Sequence, residues 1–296
     1  MKDLRTLRGS IVALVTPFTA EGRVDHAALK NLVEFQIANG TDAISPCGTT
    51  GEAPTLSVEE YAAVVETVVK TVRGRVPVIA GAGSNATAKA IELSKIAAEL
   101  GADGVLSVGP YYNKPTQEGF YQHFKAIAEA ISIPILVYNV PGRTGSNIEP
   151  RTLMRLAQIE NIFGVKEASA NLPQMMEILR EKPENFRVYS GDDAFTLALI
   201  ACGGDGVVSV AANEIPRQMK QLCDAALRGD FATARAIHYK YLPLMNANFI
   251  ESNPIPVKYA LALMGMIEER YRLPLVPMRE DTRQKLRAIL EELDLI

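Results

Sequence analysis

Lys166 closes a short apolar run at 162–166 (IFGVK). A lysine in a strand buried on both faces is unusual, because taking an ammonium out of water is costly. Burial therefore lowers the amine's pKa. A neutral amine is the nucleophile that Schiff-base chemistry on a carbonyl substrate requires. The competing reading is a strand-end lysine that reaches solvent or pairs with Glu167. No other predicted strand carries a lysine. Tyr138 sits at the equivalent level of the neighbouring run 135–139 (ILVYN). A phenol there can pass protons to and from a substrate bonded to the lysine, or it can be a core tyrosine with a satisfied hydroxyl. Thr49 and Thr50 lie between glycines in GTTGE at 48–52. Such a turn can aim N–H groups and hydroxyls at a carboxylate, although alone it is also an ordinary loop. Arg143 follows a Pro-Gly turn and could grip a second carboxylate through two nitrogens, or stand on the surface.

Other chemistries lack their residues. The three histidines, His26, His123 and His238, all fall in predicted helices, so no strand-end cluster suits zinc and no metal is expected. There is no Walker or GxGxxG loop for a nucleotide. Cys47 precedes the Gly-Thr-Thr turn without a histidine base nearby and reads as small core packing. Three cysteines without a CxxC spacing indicate a reducing compartment. The net charge of −3 and pI near 5.8 carry no basic stripe for nucleic acid or an anionic membrane. The N-terminus lacks a signal peptide's apolar region, and no apolar stretch reaches membrane-spanning length. The expectation is a cytoplasmic protein.

These side chains need a scaffold that brings strand ends together. Apolar runs at 10–16, 43–46, 76–80, 104–108, 135–139, 162–166, 187–190 and 206–210 alternate with amphipathic stretches. The runs are mostly continuous rather than alternating in polarity, as strands of a helix-covered parallel sheet are. Helices are predicted from Asp25 to Asn39, at 61–72 behind the capping box Ser57-Val-Glu-Glu60, and near 87–100, 117–130, 150–158, 172–180, 194–201 and 216–227. Eight βα units predict an α/β fold, the (β/α)8 TIM barrel, over 1–229. An open doubly wound sheet is the alternative, but the first strand runs into Thr16-Pro17-Phe18 instead of a Gly-rich loop. From Asp230 only helical patterns remain, at 231–248, 256–266 and 279–293. They predict a small all-helical C-terminal domain over 230–296.

Seven motifs recur in order: GSIVALVTPF at the start, GTTGE at 48–52, GPYYNKPTQEG at 109–119, YNVPGRTG at 138–145, GVKEAS at 164–169, SGDDA at 190–194 and NPIPVKYAL at 253–261. From about Gly9 to the C-terminus the sequence resembles the dihydrodipicolinate synthase family, within the N-acetylneuraminate lyase superfamily of pyruvate-dependent class I aldolases. The resemblance implies condensation of pyruvate with L-aspartate 4-semialdehyde to 4-hydroxy-tetrahydrodipicolinate, in lysine and diaminopimelate biosynthesis. It implies no cofactor beyond a covalent Schiff base of pyruvate with Lys166. Tyr138, Thr49 and Tyr112 would form the proton relay, with Tyr112 reaching into the adjacent subunit of a homotetramer built as a dimer of dimers. Thr49 and Thr50 would hold the pyruvate carboxylate, Arg143 the carboxylate of the second substrate, and Gly191 and Val208 would add backbone contacts. Arg143 favours the synthase over its siblings that cleave sialic acid, keto-deoxy sugar acids or hydroxy-oxo acids. A barrel that only binds carboxylates is the non-enzymatic alternative, and it would be expected to have lost part of this residue set.

Lysine-inhibited members of the family bind their effector at a subunit interface with a histidine and an acidic residue. At the matching positions this chain has Val58, Tyr61 and Lys89, while Asn85 and Tyr111 do match. Lys89 would repel the effector's ammonium, so the effector positions are expected to be non-functional. Sub-millimolar lysine is expected to leave activity nearly unchanged in a steady-state assay, and strong inhibition would overturn this reading.

Overall fold

The computed structural model describes residues 3–296. The Val- and Ile-rich runs lie side by side as parallel strands β1 (Gly9–Ala13), β2 (Ala43–Ser45), β3 (Ile79–Gly81), β4 (Gly104–Val108), β5 (Ile135–Asn139), β6 (Ile162–Glu167), β7 (Arg187–Ser190) and β8 (Gly206–Ser209). Their order is β2-β1-β8-β7-β6-β5-β4-β3. A parallel bridge between Ile44 and Val78 joins the two ends, and the Gly81 N–H donates to the Pro46 carbonyl at 2.8 Å. The sheet thereby closes into the TIM barrel that the alternation predicts.

The helices between the strands are α1 (His26–Ala38), α2 (Val58–Val72), α3 (Thr87–Glu99), α4 (Gln117–Ala130), α5 (Pro141–Thr144), α6 (Pro150–Leu156), α7 (Leu172–Glu181), α8 (Thr196–Ala201) and α9 (Pro216–Leu227). Asp25 caps α1 by accepting from the N–H groups of Ala27 and Ala28. The Ser57–Glu60 capping box is formed, so α2 starts three residues before the predicted Tyr61. The short α5 was not expected. A Pro-Gly pair reads as a turn, yet Pro141 suits the first helical position because its missing N–H has no partner there to lose.

Strand limits moved for similar local reasons. The first run ends as a strand at Ala13; the Leu14 N–H still bonds the Ser45 carbonyl of β2 at 2.9 Å, but the Val15 N–H turns to the Asn213 side chain at 3.1 Å. The third begins at Ile79 rather than at 76, because Pro77 accepts from Ile44 but has no N–H to give. Inside the barrel, Ile11, Ala43, Ile79, Leu106, Leu136, Phe163, Tyr189 and Val208 form the packed lining. Leu4 plugs the N-terminal end, against Gly104. A larger apolar layer separates the strands from the helices. Beyond α9, three helices follow: α10 (Phe231–Ala247), α11 (Ile255–Leu263) and α12 (Glu280–Glu292). Among them, α10 packs on α9 and α8, and α11 packs on α12 and the 211–213 turn. No helix among the described residues is long and apolar enough to cross a membrane.

The backbones of β8 and β1 approach closely at their seam. A Cβ placed on Gly206 would lie 1.9 Å from the Gly9 carbonyl oxygen, and its φ of +147° disfavours a side chain. Gly206→Ala is expected to cost at least about 3 kcal/mol, since neither backbone nor rotamer change relieves the contact. The urea unfolding midpoint measures this, and a variant as stable as the parent would show that the seam is looser.

Candidate functional site

Lys166 and Tyr138 are register partners at the C-terminal ends of β6 and β5. Side chains of a strand alternate between faces, and both of these project into the barrel. The Lys166 Nζ stands 4.2 Å from the Tyr138 ring centroid. The lysine is only 5% exposed. Glu167, the next residue, faces the opposite way. It accepts from the Asn139 side chain at 3.0 Å and from the Ser169 N–H at 2.8 Å. The solvent-reaching and Glu167-paired alternatives for Lys166 are therefore both excluded by geometry.

Burial lowers the Lys166 pKa to about 8. The charge of Asp193 opposes that shift, and the charge of Arg143 adds to it. At pH 7 this leaves roughly 300-fold more neutral amine than an unperturbed lysine would have. Burial acts oppositely on the phenol of Tyr138 and pushes it up to about 12. Arg143's charge and a hydrogen bond with Thr49 favour the ionised form and temper the rise. An amine whose neutral form is accessible near neutral pH, beside a protonated phenol, is a nucleophile beside a proton donor.

The turn at 48–52 rises beside them. The N–H groups of Gly51 and Glu52 donate back to the carbonyls of Gly48 and Thr49, and Thr16 donates its hydroxyl to the Gly51 carbonyl at 2.7 Å. Thr50 Oγ1 accepts from the Asn253 side chain at 3.0 Å. That leaves the threonine's own O–H to donate elsewhere. Gly191 lies against the lysine stem, since an added Cβ would stand 3.1 Å from Lys166 Cε. Val208 is buried in the barrel lining with Tyr138. Arg143 is carried by α5 and donates to the Asn253 carbonyl at 3.3 Å. With Thr49, Tyr138 and Cys47 it lines a cavity of about 350 Å³. Cys47 is buried and burial pushes its thiol up, as a packing residue requires.

Tyr112 is not brought to the amine within one chain. It is 89% exposed, at a left-handed φ of 70°. Val58, Tyr61, Lys89 and Tyr111 line the same cavity. Lys89 is paired with Glu92 at 3.1 Å, and the Asn85 carbonyl accepts from the Asn113 side chain at 2.8 Å. His26, His123 and His238 lie in α1, α4 and α10, away from the strand ends.

Sequence reasoning passed over three groups. Asp193 stands in the strand-seven motif but received no role. It is 1% exposed, and its Oδ2 accepts from the N–H groups of Val210 and Ala211. Burial pushes its pKa up to about 6. Asn253 joins Thr50 to Arg143. Lys258 is wholly buried against Glu52. All three lie inside the motifs SGDDA and NPIPVKYAL, but the partners of Asn253 and Lys258 stand some two hundred residues away, where no local pattern points to them.

A profile described as the Dihydrodipicolinate synthetase family matches residues 6–293. The chain is 58% identical over 287 residues to a 4-hydroxy-tetrahydrodipicolinate synthase of Koribacter versatilis, covering 97% of this chain and 96% of that protein. The crystal structure of dihydrodipicolinate synthase from Aquifex aeolicus superimposes with a TM-score of 0.96 at 52% identity, over 97% of this chain and 98% of that one. The chloride-inhibited enzyme from Acinetobacter baumannii, complexed with pyruvate, superimposes with a TM-score of 0.97 at 48% identity, over 98% of this chain and 100% of that one.

The amine's titration is directly measurable. The rate at which a small carbonyl compound and borohydride modify Lys166 is expected to rise with pH through about 8. Asp193→Asn removes a charge that favours the ammonium, so its midpoint is expected to fall below the parent's. A midpoint near that of free lysine would refute the buried amine.

Proposed function

The chain belongs to the dihydrodipicolinate synthetase family, and from that premise we propose that it condenses pyruvate with L-aspartate 4-semialdehyde to 4-hydroxy-tetrahydrodipicolinate. One observation carries the chemistry: an amine without an ion-pair partner among the described residues, 5% exposed, with its pKa lowered to about 8 beside a protonated phenol. In this reading the Lys166 amine adds to the keto carbon of pyruvate and water leaves, giving an imine. Tyr138, relayed through Thr49, moves the protons of that dehydration. Loss of a methyl proton gives the enamine, whose carbon attacks the semialdehyde's aldehyde. The amino group of the second substrate then closes onto the imine carbon and expels Lys166. No cofactor takes part beyond this covalent bond.

Thr49 and Thr50 receive the pyruvate carboxylate. The bond from Asn253 supports this role for Thr50, because it directs the hydroxyl proton away from Asn253 and toward a ligand. Arg143, at the cavity rim, receives the carboxylate of the semialdehyde. Gly191 leaves room for the lysine stem, and Val208 closes the lining behind it. Tyr112 completes the relay from an adjacent subunit, so the working form is an oligomer, a homotetramer built as a dimer of dimers. A tyrosine 89% exposed in a strained backbone fits a partner's site better than its own surface. We read 1–229 as the catalytic barrel and 230–296 as its helical domain, and place the enzyme in the cytoplasm. Val58, Tyr61, Asn85, Lys89 and Tyr111 form a vestigial effector site without lysine feedback.

Borohydride with pyruvate is expected to leave a stable adduct on Lys166, read by peptide mass spectrometry, and none in Lys166→Ala. Turnover is expected with aspartate semialdehyde and not with sialic acid or keto-deoxy sugar acids. An unmodified Lys166 would favour a binding protein, and the opposite substrate preference a sibling aldolase.

A further inference from the structure

The turn that presents Thr49 and Thr50 is bracketed by two non-glycine residues in the left-handed region, Cys47 at φ 55° and Glu52 at φ 53°. Side chains rarely adopt this conformation, and it persists only where the surroundings enforce it. At the Cys47 end the enforcement is steric. A Cβ on Gly81 would stand 2.1 Å from the Cys47 carbonyl, so the strand backbone presses directly on the turn. At the Glu52 end it is electrostatic and comes from the C-terminal helices. Glu52 Oε1 accepts from Lys258 Nζ at 2.5 Å, and neither side chain has any solvent exposure. Glu52 Oε2 accepts from the Arg272 N–H at 3.2 Å. The ammonium also lies over the Phe18 ring at 4.3 Å from its centroid.

An apolar pair of similar volume would fill this space without taking two charges out of water. What the ion pair adds is direction. It draws the Glu52 side chain toward α11 and so sets the backbone of the residue that ends the turn. The buried polar contact at Asn253 does the same for Thr50, but its carbonyl also holds Arg143. The Lys258 side chain makes its hydrogen bond to Glu52 rather than to Thr50 or Arg143, so Glu52 is its direct link to the turn.

We infer that Lys258, acting through Glu52, is a positioning residue for the Thr49-Thr50 turn and thereby sets the affinity for the first substrate's carboxylate. This rests on the pyruvate reading above. Removing the pair should raise the concentration of pyruvate needed, and leave the grip on the second substrate intact.

The test uses full-length protein and two variants, Lys258→Met and Glu52→Gln/Lys258→Met. The single variant leaves a buried carboxylate without a partner and so carries a folding defect. The double variant removes that charge and keeps an acceptor for the Arg272 N–H. Each is scored by thermal melting, by the pyruvate concentration giving half-maximal borohydride trapping at Lys166, and by KM for the semialdehyde at saturating pyruvate. The folded double variant is expected to need at least tenfold more pyruvate, with the semialdehyde KM within twofold of the parent. A double variant that traps at the parent's pyruvate concentration overturns the inference, whatever its melting point. So does one in which both substrates weaken equally, which would mean general loosening. A parent protein that traps no pyruvate at all overturns the functional reading, and this inference with it.

Discussion

An ammonium ion inside an apolar barrel is out of place, and the rest of this molecule is arranged around that fact. The lining gives Lys166 no carboxylate to pair with, and its neighbour Glu167 is turned outward into a network with Asn139 and Ser169. Asp193 is near enough for its charge to be felt, but one of its oxygens is committed to backbone N–H groups of 210 and 211. The proton is therefore held less tightly than in water, without being lost altogether. The same surroundings keep Tyr138 protonated. One environment thus leaves more of the amine unprotonated and keeps the phenol protonated, and their shared register holds them in contact.

The barrel was readable in the chain because each of its parts is local. Continuous Val- and Ile-rich runs spaced by amphipathic stretches carry the signature of buried parallel strands, and all eight occur within a few residues of their expected limits. The misplacements came from a donor that leaves the ladder at Val15 and one that is missing at Pro77, which no hydrophobic pattern records. α5 was missed because a Pro-Gly pair reads as a turn, although it is what carries Arg143. The inward face of Lys166 was expected from its setting, whereas the outward face of Glu167 follows only from strand alternation once the strand is in place.

What stayed hidden acts over long distances in sequence. Asn253 bonding to Thr50, and Lys258 to Glu52, link positions more than two hundred residues apart. Neither residue type announces such a contact. Lys258 in particular sits in a helix whose residues from 255 to 261 are all buried, so no polar face marks it out. Tyr112 is a different case. Its resemblance-based role needs a second chain, and one chain alone leaves it in solvent.

The plug at the foot of the barrel has a kinetic consequence. Leu4 fills the N-terminal mouth, and Tyr189 is tied to the Leu7 carbonyl at 2.7 Å beside it. These side chains close the barrel's N-terminal mouth. In a dead-end channel the molecule that bonds to the amine must enter first, and whatever follows stacks above it. On the proposed reaction, a closed foot of this kind would have the keto acid enter before the semialdehyde.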